Sequence, residues 1–210
     1  MCGGYIIGAT MMTVKAEEPD LFRAIRGCQL CSDRFAKTST AHHPRPIVWL
    51  SATARILVAG QAPGARVHAS GKPFTDPSGD RLRAWMDVNE TEFYDVSRVA
   101  ILPTAFCFPG YNAKGADLPP PSICAQTWHE RVMQTLPKVQ LTLLIGGYAQ
   151  KYHLGARETV TEIVRNWRSA PDGVIPLPHP SWRNTGWIRR NPWFEAELVP
   201  HLREHVRTLL

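Results

Sequence analysis

Four short apolar runs, each closed by glycine or proline, constrain this chain more than any other feature: residues 55–59 (RILVA), 99–106 (VAILPTAF), 140–145 (QLTLLI) and 174–177 (VIPL). A run of this length without polar alternation reads as a strand buried on both faces, the habit of a parallel sheet. Helical spacing fills the intervals. Residues 19–30 set Leu21, Phe22, Ile25 and Leu30 at near-helical intervals behind the acids Glu17, Glu18 and Asp20. Residues 79–86 read as a second helix, residues 123–136 as a third with Trp128, Val132 and Leu136 four apart, and helical stretches follow Gly146-Gly147 as far as Trp167. Residues 191–210 form a last amphipathic helix with Pro192 in its first turn, and Pro200 inside it predicts a kink. Residues 38–46 (TSTAHHPRP) are a loop. This alternation predicts an α/β fold, a three-layer sandwich with a central, mainly parallel four-stranded sheet flanked by helices. Such sheets bind ligands beyond the carboxyl ends of their strands, so the loops after strands one, two and four form the expected site.

A chain of 210 residues supports one buried core, expected over residues 16–210, behind a disordered tail of residues 1–15. The tail lacks the basic flank and cleavage site of a secretory signal, and Met11 or Met12 is a candidate start. No run approaches the length of a membrane span. Without export the cysteines are expected as thiols or metal ligands rather than disulfides, in a cytoplasmic monomer, nucleoid-associated if bacterial. Twenty-four Lys and Arg against 18 Asp and Glu give a net charge of +6, which favours a polyanionic partner.

Cys28 and Cys31 form a C-x-x-C, a spacing that lets two thiolates grip one metal and that a redox pair shares. Cys107 and Cys124 flank sixteen residues rich in Pro and Gly, FPGYNAKGADLPPPSI. Such an excursion returns to its start if both cysteines share one ion or cluster. On physical grounds four thiolates suit tetrahedral zinc and a 4Fe-4S cluster equally, and four separately buried cysteines are the bland alternative. Cys2 has no partner and is assigned nothing.

Residues 60–64, GQAPG, can present backbone N–H groups to a ligand because glycine permits unusual dihedrals and close approach, although a tight strand-to-helix connection uses the same residues. PLPHPSW shifts that balance. His179 follows a strand of the same sheet between two prolines, where it can donate a hydrogen bond to charge developing on a substrate. Phe74, behind Lys72-Pro73, is either core or a stacking face for a flat heterocycle. Residues 182–194 (WRNTGWIRRNPWF) hold three tryptophans and three arginines in thirteen residues. Arg183, Arg189 and Arg190 suit phosphates, Trp182 and Trp187 suit wedging or stacking, and Trp193 and Phe194 read better as a buried helix start.

In this order the motifs resemble the uracil-DNA glycosylase superfamily, and within it the iron-sulfur branch of families four and five. The resemblance runs from Cys28 to about Leu202. GQAPGARVHASGKPF matches the branch's motif A, GEAPG followed by a TGRPF-like tail, without a gap, and DPSGDRL continues it. CQLC with Cys107 and Cys124 matches the four cluster ligands, LLIGGYAQKYHLG resembles an LGATAA-like helix start, and PHPS is motif B. The resemblance implies a structural 4Fe-4S cluster on Cys28, Cys31, Cys107 and Cys124, with zinc as the alternative, and DNA as the partner. It also implies that a flipped base stacks on Phe74 while His179 and the N–H groups of Gln61 and Ala62 hold its departing oxygen. In the same reading Ser181 would anchor the adjacent phosphate, with Trp182, Arg183, Trp187, Arg189 and Arg190 as the candidate DNA contacts.

Two departures stand out. Ala62 occupies the position of the family-one aspartate, as in family four, so another group must orient the attacking water. Asp76 is the candidate, with His68, which replaces an acid of family four, as a second water-positioning group or phosphate contact. Pro103 stands four residues before the third cysteine, where family four reads uracil with an asparagine, and proline has no donor. Base recognition then passes to Thr104 or Asn112, or the pocket takes a different modified base. The expected activity is monofunctional hydrolysis of the N-glycosidic bond of uracil, or a related deaminated or modified base, in base excision repair. A catalytically inactive iron-sulfur protein binding damaged or abasic DNA is the alternative. A covalent histidine adduct ranks below both, because the basic insertion that carries it in one relative of family four is not found between Gly64 and Gly79.

Overall fold

All four expected strands form and pair in parallel: β1 (Ile56–Gly60), β2 (Val99–Pro103), β3 (Leu141–Ile145) and β4 (Val174–Leu177), in the order β2-β1-β3-β4. The computed structural model describes residues 18–210, so the expected tail of residues 1–15 lies outside the described residues. Ten α-helices accompany the strands among the described residues: α1 (Glu18–Arg26), α2 (Ser32–Ala36), α3 (Ala65–Ser70), α4 (Pro77–Met86), α5 (Glu90–Phe93), α6 (Ser122–Gln134), α7 (Gly146–Leu154), α8 (Val160–Arg165), α9 (Thr185–Arg190) and α10 (Val199–Leu209). None is long and apolar enough to cross a membrane.

Strand pleating sorts the core into layers. Ile56 and Val58 of β1 face one way, with Val99, Ile101, Leu141 and Leu143, onto Leu82, Trp85 and Met86 of α4 and Leu202 and Val206 of α10. Leu57 faces the other way, with Ala100 and Leu102, onto Leu21, Phe22 and Ile25 of α1 and Trp128 and Val132 of α6. Both faces are therefore dry, which is why the strands carry no polar alternation. The chain moves from β1 to β2 on one side and then to β3 on the other, so the topology switches between β1 and β3. The crevice at the carboxyl ends of these strands is where such a sheet accepts a ligand.

The differences from expectation are local. The first helix stops at Arg26 rather than Leu30, Gly27 turning the chain toward Cys28, and Leu30 is left 58% exposed off the helix. β2 ends at Pro103 because the N–H groups of Thr104 and Ala105 bind the carbonyls of Gly60 and Gln61, at 2.9 and 3.2 Å, and draw the chain away toward the crevice. The last helix does change character before Pro200. Proline offers no N–H to the carbonyl four residues back, and the preceding turn, Phe194–Leu198, widens to a π-helix in which Val199 N–H reaches back five residues to Phe194.

Candidate active site

The crevice holds a cavity of about 140 Å³ built from the expected loops. Gln61, Ala62 and Gly64 of GQAPG supply one wall, Phe74 and Asp76 a second, and Pro103 and His179 the ends of β2 and β4. Trp49 completes the floor. It precedes the sheet and reaches it through one bridge to Ile101, so no spacing in the sequence marks it. The cavity opens into a wider groove of about 750 Å³ that runs past Tyr148, Ser181, Trp182 and Arg183.

Phe74 is held in an unusual conformation. Its φ is +54°, in the left-handed region that costs a side-chain-bearing residue about 1–2 kcal/mol. Three contacts offset that cost: the Tyr94 hydroxyl donates to the Pro73 and Phe74 carbonyls at 2.8 and 3.0 Å, and Arg83 donates to the Phe74 carbonyl at 3.3 Å. Phe93 meets the ring edge-on at 5.9 Å. The start of α4 packs so tightly beneath this turn that a Cβ on Gly79 would lie 1.8 Å from the Phe74 carbonyl oxygen. Asp76 caps the same helix, its Oδ1 accepting the Gly79 N–H at 3.3 Å.

His179 is fixed from several directions. Its Nδ1 accepts the Ser181 N–H at 3.2 Å, which leaves the proton of the neutral ring on Nε2. Its carbonyl accepts from Asn184 at 2.8 Å, and Arg81 ties the loop to α4 through the Ser181 carbonyl at 3.0 Å. Burial pushes the imidazole pKa down, offset in part by nearby Asp76, so the ring stays neutral with Nε2–H as a donor. Gly146, at the end of β3 with φ +75°, makes room for it, since a Cβ there would sit 3.4 Å from the His179 Cβ.

A ring, a neutral imidazole donor and a loop meeting at the topological switch of a parallel sheet make a pocket that suits a flat ligand with a hydrogen-bond acceptor. A family model for the uracil DNA glycosylase superfamily matches residues 47–203. The chain belongs to that superfamily. Membership assigns it in general terms to the DNA glycosylases, hydrolases that remove uracil or related deaminated bases from DNA.

As a superfamily member it departs from the sequence reading at several residues. Thr104 does not line the cavity: its hydroxyl donates to the Gln61 carbonyl, so it holds the GQAPG loop in place and is spent as a base reader. Asn112 lines neither cavity nor groove, and its Oδ1 is engaged within its own turn, accepting the N–H groups of Lys114 and Ala116 at 2.9 and 3.1 Å. His68 lies on α3 behind the wall, edge-on to His42 and tilted against Phe108 with ring centroids 5.2 and 5.8 Å away, and its carbonyl accepts from Arg45. It does not line the cavity, and burial among these rings pushes its pKa down, with His42 and Arg45 adding to the shift. The glycines of GQAPG need no unusual dihedral either: Gly64 has φ −79° and open space where a Cβ would go, and Gly60 is an ordinary strand residue.

The aromatic and basic segment divides. Trp182 is 72% exposed with Arg183 stacked over its ring, and both line the groove beside Ser181, whose Oγ accepts the Arg183 N–H at 3.3 Å. Trp187 turns inward instead, packing on the core and donating to the Thr161 hydroxyl at 2.7 Å. Arg189 and Arg190 are exposed on α9 but outside the groove lining. Phe194 is fully buried and Trp193 packs against the core, as expected for a helix start. The residue that sequence reasoning missed is Asp117, which lines both cavity and groove. It lies in the excursion between Cys107 and Cys124, where proline and glycine drew attention to the cysteines alone.

The four cysteines meet as free thiols around one small apolar cavity walled by Ile25, Phe35 and Phe106. Burial pushes Cys107 up to about 12 and Cys124 up to about 11, the neighbouring cysteines adding to both. Such thiols ionise only against a strong positive charge, which is what a metal group supplies. Yet among the described residues no three His, Cys, Asp or Glu side chains approach closely enough to hold a metal ion. Four thiolates are a donor set that both tetrahedral zinc and an iron-sulfur cluster take.

Proposed function

We propose that the protein is a monofunctional glycosylase that flips uracil or a related deaminated base out of DNA and hydrolyses its N-glycosidic bond. The observation that carries this reading is the fixed tautomer of His179, whose Nε2–H is free to meet a base oxygen in the same cavity as the Phe74 ring. The base stacks on Phe74. As the glycosidic bond lengthens, its electron pair moves onto the base, and a preorganised donor stabilises the oxygen where that charge collects. The N–H groups of Gln61 and Ala62 are the second pair of donors in this reading. The DNA backbone follows the groove, with Ser181 at a phosphate and the exposed Trp182 as the wedge that fills the vacated stack. A carboxylate where cavity meets groove orients the attacking water. The test is an excision panel of oligonucleotides carrying uracil, hypoxanthine, xanthine or hydroxymethyluracil, single- and double-stranded. Alkali-labile sites are expected with at least one base, and cleavage of none rejects the reading.

Cys28, Cys31, Cys107 and Cys124 would hold a 4Fe-4S cluster in this reading, placing the protein in the iron-sulfur branch of the superfamily. When bound, such a group would supply a structural cross-link between the segment joining α1 to α2 and the excursion that begins after β2. Protein purified without oxygen is expected to be brown, with stoichiometric iron and sulfide that Cys107→Ser loses. A colourless protein carrying one zinc per chain overturns the assignment.

A further inference from the structure

Five side chains with polar atoms line the inner cavity and the outer groove at once: Gln61, Asp76, Ser78, Asp117 and His179. A flipped nucleotide keeps its base in the cavity and its phosphates in the groove, so its glycosidic bond crosses this junction, a step that rests on the glycosylase reading above. Among the described residues two carboxylates line this junction, Asp76 and Asp117, and either could face the positive charge that develops on the sugar. They are not equivalent. Asp76 is engaged as the cap of α4. Asp117 accepts no hydrogen bond and makes no ion pair with any described residue.

We propose that Asp117 is the catalytic carboxylate of this protein, facing the sugar and holding the attacking water. Its loop is built to hold it still. Residues 110–118 form a small hairpin in which Tyr111 bridges Asp117, Leu118 N–H binds the Gly110 carbonyl at 2.8 Å, and Asn112 N–H binds the Ala116 carbonyl at 2.8 Å. The Asn112 side chain closes the tip, Ser39 donates to the Tyr111 carbonyl at 3.2 Å, and Phe108 packs on the Tyr111 ring at 5.1 Å. In this proposal Asn112 acts as a positioning residue for Asp117. Partial burial pushes the Asp117 carboxyl pKa up although the residue as a whole stays exposed on the groove, Arg183 opposes the shift and Asp76 adds to it. An ionised carboxylate at the junction, with no side-chain partner to share its charge, is free to meet a cation that forms beside it.

The step balances without a co-reactant. The bond from sugar C1′ to the base nitrogen breaks and its electron pair leaves on the base, whose oxygen His179 Nε2–H supports. The water oxygen forms the new bond to C1′, and its proton passes to the Asp117 carboxylate and from there to the departed base. The products are an abasic hydroxyl and a neutral base.

The test reads the carboxylate separately from the choice of base. DNA carrying a cationic pyrrolidine analogue of the abasic sugar is compared with DNA carrying its neutral tetrahydrofuran counterpart, and the ratio of the two Kd values is measured. Wild-type protein is expected to favour the cation by about tenfold or more, and Asp117→Asn to lose most of that preference. Asp76→Asn, which keeps a helix-capping side chain, is expected to retain it. Asp117→Asn is also expected to melt no lower than wild type, since Asp117 is exposed and its side chain makes no hydrogen bond that the substitution would break. That result would not follow if the residue served only the loop. Loss of the preference in Asp117→Asn supports the assignment even where no base of the excision panel is released, and in that case the proposed substrate fails instead. No cation preference in the wild type, a preference that survives Asp117→Asn, or an equal loss in Asp76→Asn overturns it.

Discussion

Replacing His179 with alanine is expected to lower the single-turnover excision rate about a hundred- to a thousandfold while DNA binding changes little. The reasoning starts from the tautomer. The Ser181 N–H occupies Nδ1, so the ring has one proton to offer and offers it from Nε2. That donor matters little to a neutral base and much to an anionic one, so its loss falls on the chemical step. Glutamine at the same position can present an N–H but cannot accept the Ser181 N–H from a rigid ring, so His179→Gln is expected to fall between wild type and alanine. Because burial pushes the imidazole pKa down, the rate is also expected to show no inflection where an ordinary histidine titrates. A loss confined to binding, or a rate limb near the ordinary histidine pKa that His179→Ala removes, would show that His179 acts otherwise, as a phosphate contact or as a proton donor.

The features that made His179 legible in the sequence also mark where such reading stops. A strand buried on both faces leaves a continuous apolar run, and VIPL followed by PHP announces both the strand and the rigid residue beyond it. The same held for RILVA and QLTLLI. α3 left no such mark, because only Val67 of its six residues is buried and no apolar period forms. The aromatic and basic run 182–194 read as one surface, yet a turn of helix separates Trp182 on the groove from Trp187 on the core. Composition reports both as tryptophan beside arginine, and only the direction each takes from the backbone tells them apart.

Polar site residues were the least legible. Thr104 and Asn112 each stood near the pocket in sequence with the right chemistry to read a base, yet neither lines the cavity, and the Thr104 hydroxyl and Asn112 Oδ1 each bind a neighbouring backbone group. A hydrogen bond made within three-dimensional structure removes a donor or acceptor that sequence still counts as free. Asp117 is the converse: a lone acid in a loop that reads as solvated, brought to the junction by a hairpin whose Tyr111–Asp117 bridge has no apolar pattern to announce it. The loop glycines misled in the same way. GQAPG draws the eye, but its glycines accept a Cβ, whereas the demanding glycine lies at position 79, one turn into a helix that reads as ordinary.

Gly79→Ala is accordingly expected to have the largest effect on stability of any single methyl added near the site. The new Cβ would lie 1.8 Å from the Phe74 carbonyl oxygen and 2.9 Å from the Phe74 Cβ, and the nearer atom is backbone rather than the end of a flexible chain. Either the first turn of α4 or the Phe74 turn must move. Moving the turn breaks the bonds from Tyr94 and Arg83 that hold Phe74 at positive φ, and moving the helix displaces Leu82 and Met86 from the core. Overpacking of this kind costs about 3 kcal/mol, which for a domain of this size lowers the melting midpoint by roughly 10 °C. What survives is expected to bind the flipped base poorly, because the stacking ring no longer sits over the cavity, a contact worth about 1–3 kcal/mol. Gly64→Ala serves as the contrast, since nothing lies within 4 Å of its Cβ position and its φ of −79° suits alanine. A Gly79→Ala protein that melts with the wild type and keeps its KM would mean that Phe74 can leave its strained turn without loss, and that the ring is core packing rather than the stacking wall of the pocket.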